Sequence, residues 1–244
     1  MKWSEFEGEL ARRRDAGRPA QFWWRDDDAA AVLPSVKKLL ALSKANRIPL
    51  SLAVIPAGAE PGLFELLHEG VTVLQHGTDH RNRAAAGEKK TEYPAAEPLA
   101  AALARISLGR ARLQALAGES FLPVLAPPWN RVRQDLLPRL PAIGMRGVSA
   151  YGARASAEPA PALRQVNTHV DIVAWRQGKR FIGESEALSL AMKGLSTAQT
   201  TGWLTHHAVH DAAAWDFLER LLTIGDIHWV SAREAFSYTA PAHG

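Results

Sequence analysis

Short apolar runs bounded by Gly, Pro or Asp recur along the chain at 21–25, 49–55, 71–75, 121–126, 145–150, 163–170, 202–206 and 227–231, each with the length of a buried strand. Helical spacing fills the intervals. It is clearest over 97–117, where Leu99, Leu103, Ile106, Leu113 and Leu116 precede the closing Gly118, and it recurs over 35–46, 62–69, 133–140, 185–195 and 212–224. The last of these starts at an N-cap residue, Asp211, sets Trp215, Leu218 and Leu222 on one face and stops at Gly225. A first helix is predicted from Trp3 to about Arg14, because Trp3, Phe6 and Leu10 fall at i, i+3, i+7 and Gly17 and Pro19 end the pattern.

Repeated strand–helix alternation demands parallel strands joined by crossover helices, and in 244 residues it closes most easily into a barrel. We expect an α/β fold, a single distorted (β/α) barrel of about seven parallel strands over 20–240, with the helix of 1–19 packed on it. Two Ala-, Pro- and charge-rich segments, 84–96 and 151–162, read as loops of a length that is either functional or mobile. No GxGxxG or Walker-type glycine loop follows the early strands, which argues against a nucleotide-binding sheet.

Composition narrows the chemistry. The absence of cysteine removes disulfides, zinc fingers, iron–sulfur clusters and thiol catalysis, so any metal is held by His, Asp or Glu. The N-terminus is acidic where a signal peptide needs an apolar run, and no stretch approaches the ~18 apolar residues of a membrane span. The expectation is a cytoplasmic protein with no membrane partner. A net charge of +4 comes from 29 basic residues scattered among 25 acidic ones, a pattern of solvated helix faces and not of a nucleic-acid footprint.

Reactive side chains collect after the predicted strands: Asp26, Asp27 and Asp28 after the first, His76 and His80 after the third, His206 and His207 after the seventh. In a parallel barrel that end is the functional face. Three adjacent carboxylates repel one another unless a cation sits among them; surface carboxylates in a turn are the plainer alternative. His76 and His80 have metal-ligand spacing just past a strand, against two unrelated loop histidines. His206 to His210 repeats that spacing but ranks lower, because Asp211 caps a helix and only one of His206 and His207 faces the barrel axis. His169 either orients a catalytic group or is a satisfied core histidine. The eight tryptophans are core packing first and sugar-stacking surfaces second.

RDDDA at 25–29, HGTDH at 76–80, LAPPWN at 125–130, DIVAW at 171–175 and LTH at 204–206 come in the order and at about the spacing of the five motifs of the polysaccharide deacetylase (NodB-homology) family. From about 20 to 206 the chain resembles that family. The resemblance implies a barrel that removes acetyl groups from N-acetylated sugars, using a divalent metal held by one Asp and two His. Carried over residue by residue, it makes Asp28, His76 and His80 the metal ligands, Asp27 the general base and His206 the general acid. Trp129 matches the aromatic residue whose backbone N–H helps hold the oxyanion. Shifting the frame by one makes Asp26 the base and Asp27 the ligand. Zinc is the first choice of ion, with cobalt, nickel or manganese as alternatives, since His/carboxylate ligation suits them all.

Two positions depart from the family pattern. The Arg that tethers the base is replaced by Ala126, leaving Arg131 or Arg25 to reach in from elsewhere. The second Asp of the fourth motif is Ala174, leaving Asp171 to orient His206. The expected partner is a small-molecule or oligosaccharide N-acetylated substrate, with oligomeric state open. Hydrolysis of another C–N bond, as in a cyclic amide or imide, and a non-catalytic carbohydrate-binding or regulatory descendant are the alternative readings.

Overall fold

Nearly every side chain of β1 (Ala20–Ala29) is buried, as a parallel strand covered on both faces requires. The computed structural model describes residues 1–197 and 200–237; the end of the expected barrel segment, at 240, lies outside them. On one side β1 leads through β2 (Leu50–Val54), β3 (Val71–His76), β4 (Phe121–Ala126) and β5 (Gly147–Val148) to β6 (Arg164–Gln165). On the other it pairs with β10 (Thr201–Thr205), which pairs with β7 (Val170–Asp171), and also with β11 (Ile227–Trp229). All these pairings are parallel.

The predicted strand at 163–170 is split in two, and the split joins the sheet edges. Arg164 and Gln165 pair with β5, Thr168 bridges to Tyr151, and Val170 and Asp171 then pair with β10. His169 sits at the crossover: its N–H donates to Gly202 O (2.7 Å), and its Nδ1 accepts from Gly202 N (3.0 Å). It is the satisfied structural histidine of the two readings. The sheet thereby curls into a distorted barrel, with β11 appended beside β1.

Helices α1 (Trp3–Asp15), α2 (Pro34–Asn46), α4 (Leu99–Ala117), α5 (Glu184–Leu195) and α6 (Ala212–Leu222) lie where the spacing predicts them, while α3 (Pro61–Glu65) is shorter than 62–69. α1 covers one end of the barrel wall, with Phe6 stacked over Phe22 (6.4 Å) and Trp3 against Phe217 of α6 (5.2 Å). The helix predicted at 133–140 is instead a run of 3-10 turns over Gln134–Ile143. Pro138 and Pro141 each remove a backbone donor there, although Leu136, Leu137 and Leu140 remain buried.

A short antiparallel hairpin, β8 (Val173–Ala174) with β9 (Arg180–Phe181), was not foreseen; two-residue strands carry no readable alternation. A final short helix, α7 (Ala232–Ala235), opens with a capping box of Ser231 and Glu234. Among the described residues no helix is long and apolar enough to cross a membrane.

Candidate metal centre and active site

The three consecutive aspartates belong to the end of β1 and not to a turn after it, and each has different surroundings. In a regular strand Asp26 and Asp28 share one face and Asp27 takes the other. Here the register against β2 shifts between Asp26 and Ala29, and Asp28 adopts a left-handed φ of 68°. This bulge lets the adjacent Asp27 and Asp28 line one cavity.

Asp26 is fully buried on the β10 side. It accepts hydrogen bonds from Thr205 Oγ1 (2.7 Å) and His207 N (3.0 Å), and His207 Nδ1 lies 2.5 Å from its other oxygen. Burial alone would raise the Asp26 carboxyl, but the His207 imidazole beside it holds it below the usual range. With both oxygens engaged, Asp26 is a poor candidate for a base, which favours the frame that starts at Asp27.

Asp28 Oδ1 lies 3.1 Å from His76 Nε2 and 3.2 Å from His80 Nε2. Among the described residues, these three are the one set of His, Asp or Glu side chains whose donor atoms all lie within 4.8 Å of one another. His76 Nδ1 is 3.0 Å from the carbonyl of Ala126, which can only accept. Its ring proton therefore sits on Nδ1, and in the neutral imidazole the Nε2 lone pair faces Asp28. Donor atoms that converge without a proton of their own suit a cation, and the carbonyl behind His76 is the outer partner a metal-bound imidazole ordinarily has. The residues present thus fit a divalent ion. Burial opposes charge on both Asp28 and His76. Even so, the imidazoles hold the Asp28 carboxyl well below its usual range, and the two carboxylates raise His76.

The loop that carries His80 is fastened from below by a residue the sequence reading passed over. Glu92 is fully buried, and its carboxylate accepts from Thr78 N (2.9 Å) and Asp79 N (3.0 Å). Arg83 grips Asp79 with two hydrogen bonds (2.8 and 2.7 Å), and Gln75 Nε2 donates to Gly77 O (2.9 Å). Gly77 is required where it stands: its φ is 60°, and a Cβ would collide with the Glu92 carboxylate and lie 2.6 Å from Pro128. Segment 84–96 is irregular, as expected, yet it anchors Glu92 and Tyr93 in the interior. The one available signal was Glu-Tyr standing just ahead of Pro94.

Asp27 is held by Arg25, two residues before it on the same strand face. Arg25 Nη2 donates to Asp27 Oδ2 (3.0 Å), and Nε approaches Oδ1 at 2.9 Å; the guanidinium is fully buried. Its other N–H groups go to Ser149 O (2.9 Å), Ser149 Oγ (2.7 Å) and Asn130 Oδ1 (2.7 Å). Of the two arginines weighed against Ala126, it is Arg25 that reaches the carboxylate; Arg131 turns to the carbonyl of Lys90 (2.8 Å).

Opposite the His pair, His206 Nε2 is 3.9 Å from Asp27 Oδ2, and Nδ1 is 3.9 Å from Asp171 Oδ1. The Asp171–His206 approach is ionic in distance and is not a hydrogen bond. The Asp171 carboxylate instead accepts from Trp175 Nε1 (2.8 Å) and Val173 N (3.0 Å), and the Trp175 ring meets His206 edge-on at 4.6 Å. Burial raises the Asp171 carboxyl. Trp129, with a left-handed φ of 56°, packs its ring 4.6 Å from that of His80. His207 and His210 point elsewhere: His207 to Asp26, and His210 Nε2 to the N–H of His206 (3.2 Å). Asp27, Asp28, His76, His80, Trp129, Asp171 and His206 all line one cavity of about 930 Å³ at the C-terminal ends of the strands.

No protein-family model matches the sequence, and no curated protein matches it either. Solved structures do. A family 4 carbohydrate esterase from Streptomyces lividans, in complex with acetate, superposes at a TM-score of 0.56 with 15% identity, covering 86% of this chain and 90% of its own. The peptidoglycan deacetylase PdaC from Bacillus subtilis gives 0.56 at 14% identity, covering 88% and 89%. A mutant of BA3943, a pseudoenzyme of the same esterase family with restored activity, gives 0.59 at 11%, covering 89% of this chain and 67% of that one. The chain has the fold of the polysaccharide deacetylases, as the motif resemblance implied.

Proposed function

We propose that this protein is a metal-dependent hydrolase that removes an N-linked acyl group, acetyl in the first instance, from a carbohydrate-like substrate. The observation that carries the reading is the convergence of Asp28, His76 and His80 on one point, with Asp27 and His206 facing the same cavity. The solved structures named as a family 4 carbohydrate esterase and a peptidoglycan deacetylase support it through the shared fold. The barrel segment from 20 to 240 is the catalytic unit in this reading, and the helix of 1–19 a brace.

A divalent ion held by Asp28, His76 and His80, zinc by first choice, supplies Lewis acidity towards the amide carbonyl and acidifies water near neutral pH. The chain's residues do the rest. Asp27, locked in the Arg25 fork, accepts the proton of the attacking water. His206, on the opposite side of the cavity, delivers a proton to the departing amine nitrogen. Asp171 and Trp175 position His206 by charge and by edge contact. Trp129 walls the cavity beside His80 and, by the motif resemblance, matches the family's oxyanion-supporting aromatic residue. Arg25 supplies the guanidinium that Ala126 lacks, which answers one of the two departures behind the non-catalytic reading; the other, Ala174 in place of the second Asp, leaves Asp171 as the carboxylate beside His206.

The test is acetate release from a panel of N-acetylated sugars by protein loaded with zinc, cobalt or nickel and by chelator-treated protein. Release that depends on the ion is expected. Absence of release from every N-acetylated compound in the loaded state would contradict the reading.

A further inference from the structure

Several cations on the described surface have carboxylate partners: Arg83 with Asp79, Arg105 with Glu97, Arg133 with Asp135, Arg14 with Asp226. Three that line the active-site cavity have none. Lys90, Arg131 and Lys179 all border it, all are exposed, and among the described residues none lies within ion-pair distance of an Asp or Glu. They come from three separate parts of the chain: the irregular segment 84–96, the turn after Trp129 and Asn130, and the tip of the β8–β9 hairpin.

Their placement is organised. Trp129 and Asn130 both take left-handed φ values (56° and 55°), and the chain leaves that turn at Arg131. One Arg131 N–H donates to Lys90 O (2.8 Å), which ties two of the three segments together and leaves its remaining donors without a partner among the described residues. Lys179 is itself left-handed (φ 57°) at the hairpin tip. The acidic lining does not offset these charges. Asp27 is neutralised by Arg25, and Asp28 belongs to the His pair. Asp171, whose charge the Trp175 N–H does not neutralise, and Glu186 remain, two carboxylates against three cations.

We propose that the substrate carries an anionic group, a phosphate or a carboxylate, in addition to its N-acyl group, and that Arg131, Lys90 and Lys179 receive it at the cavity mouth. The proposal rests on the hydrolase reading for the acyl end of the substrate and on these three cations for the other. A guanidinium with free donors binds either anion through paired N–H contacts, and the two ammonium groups add charge without fixing geometry. An uncharged polymer makes no use of this arrangement.

The experiment measures two quantities on the metal-loaded full chain. The first is kcat/KM for acetate release from N-acetylglucosamine, N-acetylglucosamine 6-phosphate and N-acetylmuramic acid. The second is calorimetric binding of glucosamine and glucosamine 6-phosphate, which have no acyl group to lose. Tighter binding of the phosphorylated sugar and a higher kcat/KM for one of the anionic substrates are expected, each weakening as salt is raised. Arg131→Gln should reduce that preference roughly tenfold, the low end for a charge-assisted contact, and Lys90→Gln/Lys179→Gln should reduce it further. Whichever of the phosphate and carboxylate substrates is preferred identifies the anion.

Equal or better turnover of the neutral sugar, with no difference in binding, would overturn the anion site while leaving the hydrolase reading intact. A preference unchanged by the Arg131 and Lys variants would overturn the assignment of these residues. Arg131-dependent binding of glucosamine 6-phosphate without acetate release from any substrate would uphold the anion site and reject the hydrolase reading.

Discussion

Arg25→Met tests whether the buried guanidinium is what holds Asp27 in place. The substitution keeps most of the side-chain volume but leaves a carboxylate that is 2% exposed without its counter-charge, and strands the Ser149 and Asn130 acceptors. Removing one partner of a buried ion pair costs about 3–5 kcal/mol. For a chain of this size each kcal/mol lowers Tm by about 2–4 °C. A drop of about 6–20 °C is therefore expected in thermal unfolding at fixed metal concentration.

A double-mutant cycle isolates the cause. In the Arg25→Met background, Asp27→Asn removes the stranded charge and should recover at least about 1 kcal/mol relative to additivity. Arg25→Lys should fall between wild type and Arg25→Met, because one ammonium cannot reproduce a fork that reaches Asp27, Ser149 and Asn130 together. Melting of Arg25→Met within 2 °C of wild type, as judged against the scale above, or strict additivity with Asp27→Asn, would refute the argument.

Gly77→Ala forces a side chain into the Glu92 carboxylate and Pro128 at a left-handed φ, so a loss of about 2–4 kcal/mol in denaturant unfolding is expected, with weaker metal binding because His80 follows on the same loop. Glu92 supplies a pH test. Burial is the main reason its carboxyl is pushed up to about 6 from an ordinary 4.5. A raised carboxyl favours the folded state while protonated, so its contribution is complete below 4.5 and is lost as pH rises through about 6. The stability of wild type relative to Glu92→Gln should accordingly fall by about 2 kcal/mol across that window, and a flat difference would contradict the placement of Glu92.

How far the residues announced this outcome differs from place to place. The alternation of apolar runs and helical spacing revealed the barrel because parallel strands covered on both faces, such as β2 and β4, read as short, mostly apolar stretches. The candidate ion site was legible from HGTDH and the aspartate run, whose side chains are adjacent or four apart in the chain. What holds those side chains was not legible. Glu92 lies in a stretch whose Ala, Pro and charge content reads as surface, and the N–H groups of Thr78 and Asp79, with Arg83 at 3.8 Å, make a buried carboxylate tolerable there. Ser149 and Asn130 meet Arg25 across more than a hundred residues, a contact with no local pattern. The different placement of the three aspartates needed the bulge at Asp28, which depends on pairing with β2. The tract at 133–140 misled for a simpler reason: its leucines recur at helical spacing, but Pro138 and Pro141 hold it in 3-10 turns.

The central claim is that Asp28, His76 and His80 hold the ion while Asp27, beside them, moves the proton. The most direct measurement is the rate of acetate release by Asp27→Asn at a metal content matched to wild type. A fall of about a hundredfold or more with metal binding retained is the predicted result. A variant as active as wild type, or one that loses its metal along with its activity, would contradict the account.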